Sequence, residues 1–396
     1  MPAARRGAVA GLCLLALVTS WGTLRPATAS HGSPTALVAV DDASAPAFLD
    51  DSDVDSLRRA VQQSLVWLAR QHPEQALVFG PRAVKAGEYV RGLRRVLEIL
   101  ADDPSPETLE DRLLAEFDVL RSVGGGDGTV LATGYYEPIV RASETPTAEY
   151  RVPIYGVPRD LPAAPKAYWT RGDIEQGRLG DLARPIAWAR DPVDVFFMEI
   201  EGSGTLRLAE GRDLRVGYAG TNGRPYRSIA RLLIDEGHIE REAMSMRALR
   251  EWLTANPDQL TRVLNHNPSY VFFGRRAGPP VGSLAVPLTP GRSIATDATI
   301  FPPGSLSFLL TQRPRQTAAG GVEWSPVSRF VLSQDVGGAI RGPGRVDVFW
   351  GRGPDADLAA SEMQEPGELY VLVPKRGAFS TSSSSASRPS VGSSSR

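Results

Sequence analysis

Residues 334–351 read QDVGGAIRGPGRVDVFWG, which divides into the end of one strand, a glycine-rich connection and a second strand. Asp335 ends the first strand. Asp347 sits inside the second, where the two-residue alternation sets it opposite Val346 and Val348 and on the same side as Phe349. An acidic side chain is out of place by propensity in a β-branched, aromatic strand. A plain explanation competes, in which Asp347 faces solvent or pairs with Arg345. Against it, the glycines let backbone and ligand approach closely. A nearby second aspartate and apolar neighbours would also both raise the pKa of Asp347. A carboxyl kept protonated near neutral pH is what a general acid needs.

The surroundings agree with a β framework. From residue 129 onward short β-branched and aromatic runs alternate with Gly/Pro turns, at 130–136, 152–157, 193–200, 214–218, 270–273, 293–296, 305–310, 329–334, 346–350 and 368–373. The 39 glycines and 32 prolines in 396 residues exceed the usual ~7% and ~5%, and favour turns over long helices. Residues 30–130 are patterned as helices instead. One is capped at Asp53 or Asp55 and ended by His72-Pro73, a second covers about 85–100, and a third about 106–120 after Ser105. Within the β-rich part, helices are expected at 226–236 and, as a pair broken at Asn256-Pro257, at 242–264. The glycine run at 124–128 lacks a following Gly-Lys-Ser/Thr and precedes a strand, so it reads as a turn and not a phosphate cradle. No period of 20 to 50 residues repeats.

Composition narrows the chemistry. Lys plus Arg at 44 against Asp plus Glu at 45 leaves no whole-chain positive field, which argues against a nucleic-acid partner. A single cysteine, Cys13, excludes an internal disulfide and a Cys-rich zinc site. The four histidines, His31, His72, His238 and His266, have no metal-ligand spacing, and the Gly202-Ser203-Gly204 run lacks the frame of a nucleophile elbow. Carboxylates remain. After Asp335 and Asp347, the next candidate is Glu201, which the apolar run 193–200, read as a strand, delivers to the Gly202-Ser203-Gly204 turn; that turn suits a groove wall or a plain hairpin equally. Thr133, Tyr135 and Tyr136 in TGYYEP (133–138) offer a hydroxyl and rings able to stack on sugars, with core packing as the competing role.

Residues 1–29 have the three parts of a secretory signal: Arg5 and Arg6, an apolar run, and Ala27-Thr28-Ala29 as a small-x-small cleavage site. The mature chain is expected to begin at Ser30. Cys13 follows Leu12 rather than the small residue that precedes a lipidated cysteine, and its lipidation stays open. Residues 377–396 are expected to form a disordered Ser-rich tail.

In order along the chain, TGYYEP (133–138), DPVDVFFMEIEGSG (191–204), GYAG (217–220) with YRSI (226–229), NPSYVFF (267–273) and VPLTPGRSIA (286–295) resemble the membrane-bound lytic murein transglycosylase A family. The C-terminal part is similar to that family's domain named after three aspartates, which fall on Asp297, Asp335 and Asp347. The likeness covers about residues 129–375. It implies a mainly β fold with a helical N-terminal region, an α+β chain. Residues 45–137 and 276–376 would form a discontinuous double-psi β-barrel, residues 138–275 an inserted β-rich domain, and a substrate groove would lie between them. It implies cleavage of the β-1,4 bond between N-acetylmuramic acid and N-acetylglucosamine of peptidoglycan, leaving 1,6-anhydromuramoyl ends.

By the same likeness Asp347 is the single catalytic acid/base and Asp335 its supporting neighbour. Thr133, Tyr135, Tyr136, Glu201, Ser203 and Asp297 would serve substrate binding. No cofactor or metal is implied. The chain is expected to work as a monomer on peptidoglycan glycan strands in the periplasm, with outer-membrane association left open. Where the family has Gln before Gly-Ser-Gly, this chain has Glu201. That keeps open a hydrolase using Glu201 as a second carboxylate, and beside it a non-catalytic cell-wall glycan-binding protein.

Overall fold

Asp53, Ser105 and Ser245 each accept the backbone N–H three residues on, and each opens a helix, because short polar side chains satisfy the otherwise free amides of a first turn. The computed structural model describes residues 36–163 and 166–379. The signal at residues 1–29, Cys13 and residues 380–396 of the expected tail lie outside the described residues; of the tail's first residues, 377–379, Phe379 packs against Phe117 with ring centroids 5.7 Å apart.

The chain opens with β1 (Leu37–Val40), α1 (Val54–Leu68), the hairpin β2 (Ala76–Phe79) and β3 (Arg82–Lys85), then α2 (Ala86–Ala101), α3 (Pro106–Glu116), β4 (Phe117–Ser122) and β5 (Val130–Tyr135). The helix expected through residue 120 stops at Glu116. Phe117, Val119 and Leu120 are buried in β4, which pairs with β1 on one side and with the last strand of the chain on the other. Long-range pairing overrides the local helical pattern there.

Next come β6 (Ile139–Ser143), β7 (Val152–Tyr155), α4 (Arg171–Glu175), β8 (Pro185–Ala189), α5 (Pro192–Glu201), β9 (Ser203–Leu208), β10 (Asp213–Thr221), α6 (Ile229–Asp235), α7 (Met246–Ala255), α8 (Leu260–His266) and β11 (Val271–Arg275). The strands form one sheet in the order β11-β10-β9-β6-β8-β7.

The run 193–200, expected as a strand, is the helix α5. Asp191 accepts from the Val193 amide at 2.8 Å, Pro192 takes the first helical position, and Gly202 ends the helix at φ 71°. Seven of its ten residues are buried, so no polar stripe marks the helical period, and a short helix apolar on all sides looks like a buried strand. Its Val193, Phe196, Phe197 and Ile200 pack with Ile229, Leu233, Leu249, Leu253 and Val263 of the three following helices.

The remainder is β12 (Ser293–Ala295), β13 (Leu306–Gln316), β14 (Val322–Asp335), β15 (Arg345–Phe349), α9 (Pro354–Glu362) and β16 (Gln364–Pro374). The order β16-β13-β14-β12-β15-β5 closes on itself through a β16–β5 pairing, giving a six-stranded barrel. Two of its pairs, β12–β14 and β15–β5, are parallel. This is the expected double-psi β-barrel with an inserted β-rich sheet and a groove between the two. Helices α1 and α2 pack on the barrel, and the chain before α1 is locked to it by Arg292, whose fully buried guanidinium reaches Asp50 at 2.5 and 2.8 Å and Ser56 at 2.9 Å.

Candidate active site

Strand β15 lies between β5 and β12, and Asp347 is in register with Thr133 on one side and Ala295 on the other. Its side chain is 4% exposed, so it does not face bulk solvent. Its Oδ1 accepts the Thr133 hydroxyl at 2.8 Å instead of pairing with Arg345. Burial pushes the Asp347 pKa from 3.8 up to about 6; the Thr133 hydrogen bond and the charge of Arg345 pull it down, and the charge of Asp335 adds to the rise.

Asp335, at the end of β14, is held by three donors. The amides of Ser283 and Val336 give to Oδ1 at 2.8 and 2.9 Å, and the Tyr135 hydroxyl gives to Oδ2 at 3.0 Å. Burial raises its pKa in spite of them. The Tyr135 ring rests on Phe349 with centroids 5.3 Å apart. Burial, with Asp335 and Asp347 nearby, keeps the Tyr135 hydroxyl protonated as a donor.

A groove runs between the barrel and the inserted sheet. Tyr135, Asp335, Asp347 and Phe349 line its barrel side, Glu201, Ser203, Arg215 and Tyr218 the inserted side, and the segment 276–281 its rim. The last turn of α5 and the left-handed Gly202 aim Glu201 at the groove. Burial, then the charge of Asp347, raises the Glu201 pKa well above 4.5, while the Tyr136 amide and Arg250 act against the rise. Glu201 Oε2 is buried without a hydrogen-bond partner. Glu201, distant in sequence from Asp335 and Asp347, therefore lines the same groove as those two aspartates.

Tyr136 also reaches this lining, but its ring is buried and its pKa is raised by burial, with Asp357 beside it. Thr133 stands behind Asp347 and outside the groove lining. Asp297 also stands outside it. There it accepts the Gly342 amide at 2.8 Å and the Thr299 amide and hydroxyl at 3.0 and 2.7 Å. Burial works to raise the Asp297 pKa, but these bonds outweigh it and the net shift is downward. Asp297 thus fastens the glycine-rich connection before β15.

Sequence reasoning did not single out Arg215, Arg276 or Glu137. Buried Glu137 accepts the Thr205 hydroxyl at 2.9 Å and has Arg215 Nε 3.8 Å away. The only local signal was charge at strand ends, which usually means solvent. Among the described residues no group of three or more His, Cys, Asp or Glu side chains is arranged to hold a metal ion.

Residues 131–274 match the family described as MltA specific insert domain, and residues 292–373 match the 3D domain. The membrane-bound lytic murein transglycosylase A of Vibrio cholerae is 36% identical over 265 residues, 65% of this chain and 70% of that protein. Its Escherichia coli namesake is 37% identical over 254 residues, 63% of this chain and 67% of that protein. The crystal structure of E. coli MltA with bound chitohexaose superposes with a TM-score of 0.69 at 27% identity, covering 90% of this chain and 99% of that one. A membrane-bound lytic murein transglycosylase from Agrobacterium tumefaciens gives 0.67 at 28% identity, covering 86% and 98%. With both domains matched and these relatives alike in sequence and fold, the chain belongs to the membrane-bound lytic murein transglycosylase A family.

Proposed function

We propose that this chain is a lytic transglycosylase of peptidoglycan, cutting the β-1,4 bond between N-acetylmuramic acid and N-acetylglucosamine and leaving a 1,6-anhydromuramoyl end. The observation that carries this reading is Asp347, a buried carboxyl at a sugar-sized groove whose pKa is pushed up to about 6. In its acid form Asp347 gives its proton to the bridging oxygen as the muramoyl C1–O bond breaks and C1 gains oxocarbenium character. As carboxylate it then takes the proton of that sugar's own C6 hydroxyl while O6 bonds to C1. The aspartic acid is regenerated and no water is consumed.

One carboxyl suffices because the nucleophile is tethered to the reacting centre, which removes much of the orientational cost. A glycosidase acting with water needs two, ~5 Å apart when retaining and ~6.5 to 9.5 Å apart when inverting. Thr133 orients Asp347, and Asp335 holds Tyr135 while its charge favours the acid form of Asp347. The reaction as written needs no cofactor.

The hydrolytic alternative requires Glu201 as an ionised base. Burial beside Asp347 favours its protonated form, in which it cannot activate water, so transglycosylation is the better reading. In this reading residues 45–137 and 276–376 form the catalytic unit and 138–275 the inserted one. The signal-like residues 1–29 send the chain, working as a monomer, to the periplasm, where its murein substrate lies. Tyr135, Tyr136 and Ser203 contact the glycan, and Asp297 supports the site through the β15 connection.

The test is mass spectrometry of digested sacculi with wild type and Asp347→Asn, circular dichroism checking that the variant is folded. Anhydro-ended fragments, one water lighter than hydrolysed ones, are expected from wild type and not from the variant. Only the heavier fragments would overturn the proposal in favour of hydrolysis. Binding without any new ends would favour a non-catalytic glycan binder.

A further inference from the structure

Where the inserted wall meets the rim of the groove, two arginines sit side by side. The Arg276 amide donates to the Arg215 carbonyl at 2.9 Å where β11 leaves the sheet, and both side chains line the groove. Arg276 lies flat along β10. A Cβ on Gly217 would come 3.1 Å from Arg276 Cγ and 3.2 Å from its Nε, so the glycine makes the room that lets the side chain lie there. One guanidinium nitrogen donates to the Tyr218 carbonyl at 2.7 Å, which fixes the plane of the fork. The neighbouring Arg215 is steadied by buried Glu137, its Nε 3.8 Å from the carboxylate. No carboxylate lies within 4.0 Å of Arg276 among the described residues. Burial raises the pKa values of the groove carboxyls Glu201, Asp335 and Asp347, and none of them pairs with either arginine.

A positioned guanidinium with open N–H groups, beside a glycan groove and with no carboxylate in ion-pair contact, matches one class of ligand: a carboxylate carried on the sugar chain. Neutral sugar hydroxyls do not require it, and a planar fork binds carboxylate in two-point fashion. On the proposed substrate the carboxylates belong to the peptide stem, which hangs from the lactyl group of each muramoyl unit. We propose that Arg276, supported by Arg215, is the site that recognises the acidic peptide stem of murein and so distinguishes murein strands from uncharged chitin-like glycans. The inference rests on the peptidoglycan reading above.

The experiment measures binding to two hexasaccharides, chitohexaose and a murein hexasaccharide with tetrapeptide stems, using Asp347→Asn protein so that neither is turned over. The stem-bearing ligand should bind roughly tenfold more tightly, the scale of one charged hydrogen bond, and the preference should shrink as salt is raised. Adding Arg276→Ala should remove most of that preference while leaving chitohexaose affinity within about twofold; Arg276→Lys should restore part of it, and Arg215→Ala should act in the same direction more weakly. Equal weakening of both ligands, or no change in either, overturns the inference. The product assay on the Asp347-intact protein separates the two claims. Anhydro ends without a stem preference sink only the arginine site, whereas a stem preference without any cleavage sinks only the transglycosylase reading.

Discussion

Thr133 and Asp347 face each other in register across a parallel strand pair, and the Thr133 hydroxyl donates to Asp347 Oδ1 at 2.8 Å. The bond favours the charged carboxylate and so opposes the burial that lifts its pKa to about 6. Thr133→Val keeps the shape and removes the donor. The Asp347 pKa should then rise, and since the reaction starts from the acid form, the alkaline limb of kcat/KM should move from near pH 6 to higher pH. Loss of orientation should lower the plateau at the same time. Turbidity clearance of sacculi across pH 5 to 9 checks both; a limb that stays in place or moves down contradicts the assigned role.

Asp347 also makes a stability prediction. Its folded pKa of about 6 lies above the ordinary 3.8, so between these values the folded protein holds a proton that the unfolded chain releases. Stability therefore falls as pH rises through that window, by up to ~3 kcal/mol above it. Asp347→Asn removes the titration and keeps an acceptor for Thr133. The variant should be more stable than wild type at pH 8 by up to that amount, with no such gain near pH 3. Urea unfolding at the two pH values measures the difference, and an equal effect at both would mean that charge burial is not its source.

Gly282 supports the other aspartate. A Cβ there would meet the Gln334 carbonyl at 2.5 Å, Leu288 Cδ2 at 2.7 Å and Asp335 Cγ at 3.1 Å. Neither the backbone oxygen nor the hydrogen-bonded Asp335 can move away freely. Gly282→Ala should push the loop off β14, stretch the Ser283 amide bond to Asp335 and cost about 1–3 kcal/mol of stability. If Asp335 and Tyr135 are set by this loop, kcat should fall about tenfold, equivalent to ~1.4 kcal/mol of transition-state stabilisation, with KM little changed. Unaltered kcat in a correctly folded variant would show that this support is dispensable.

The parts of the fold and site that could be read from sequence are those whose cause is local. Asp53, Ser105 and Ser245 sit directly before their helices and cap them. Asp347 stood out because alternation and propensity disagree at one strand position, and that disagreement marks a buried, partnered acid. Helix α5 was misread because burial on nearly every side erases the period that identifies a helix, leaving only Asp191-Pro192 and Gly202 as signals. The groove itself was out of reach. Tyr135 and Asp335 are 200 positions apart in sequence, and the nearness of Arg215 to Arg276 follows from strand pairing, which no spacing rule contains. Asp297 was put among the binding residues by the family likeness alone, and the hydrogen bonds that its carboxylate accepts from the Gly342 amide and the Thr299 hydroxyl come from loop contacts that no local pattern announces.

Glu201 decides between one-carboxyl and two-carboxyl chemistry. It is faced by Asp347 on β15, Asp357 on α9, Tyr135 at the end of β5, the Tyr136 amide just after it, and Arg250 on α7. Burial and the two aspartates keep its proton on, against the single cation. A protonated glutamic acid and a glutamine are both neutral and similar in shape, and both offer a donor, so Glu201→Gln should keep activity within about threefold near pH 6, a change under ~1 kcal/mol, and should still yield anhydro ends. At higher pH the two should diverge. Ionised Glu201 would place a second negative charge beside Asp347, whereas the glutamine would not, so the variant should have the simpler alkaline limb, set by Asp347 alone. Rate loss of a hundredfold or more in Glu201→Gln at pH 6, together with water-added products from wild type, would instead identify Glu201 as a working base.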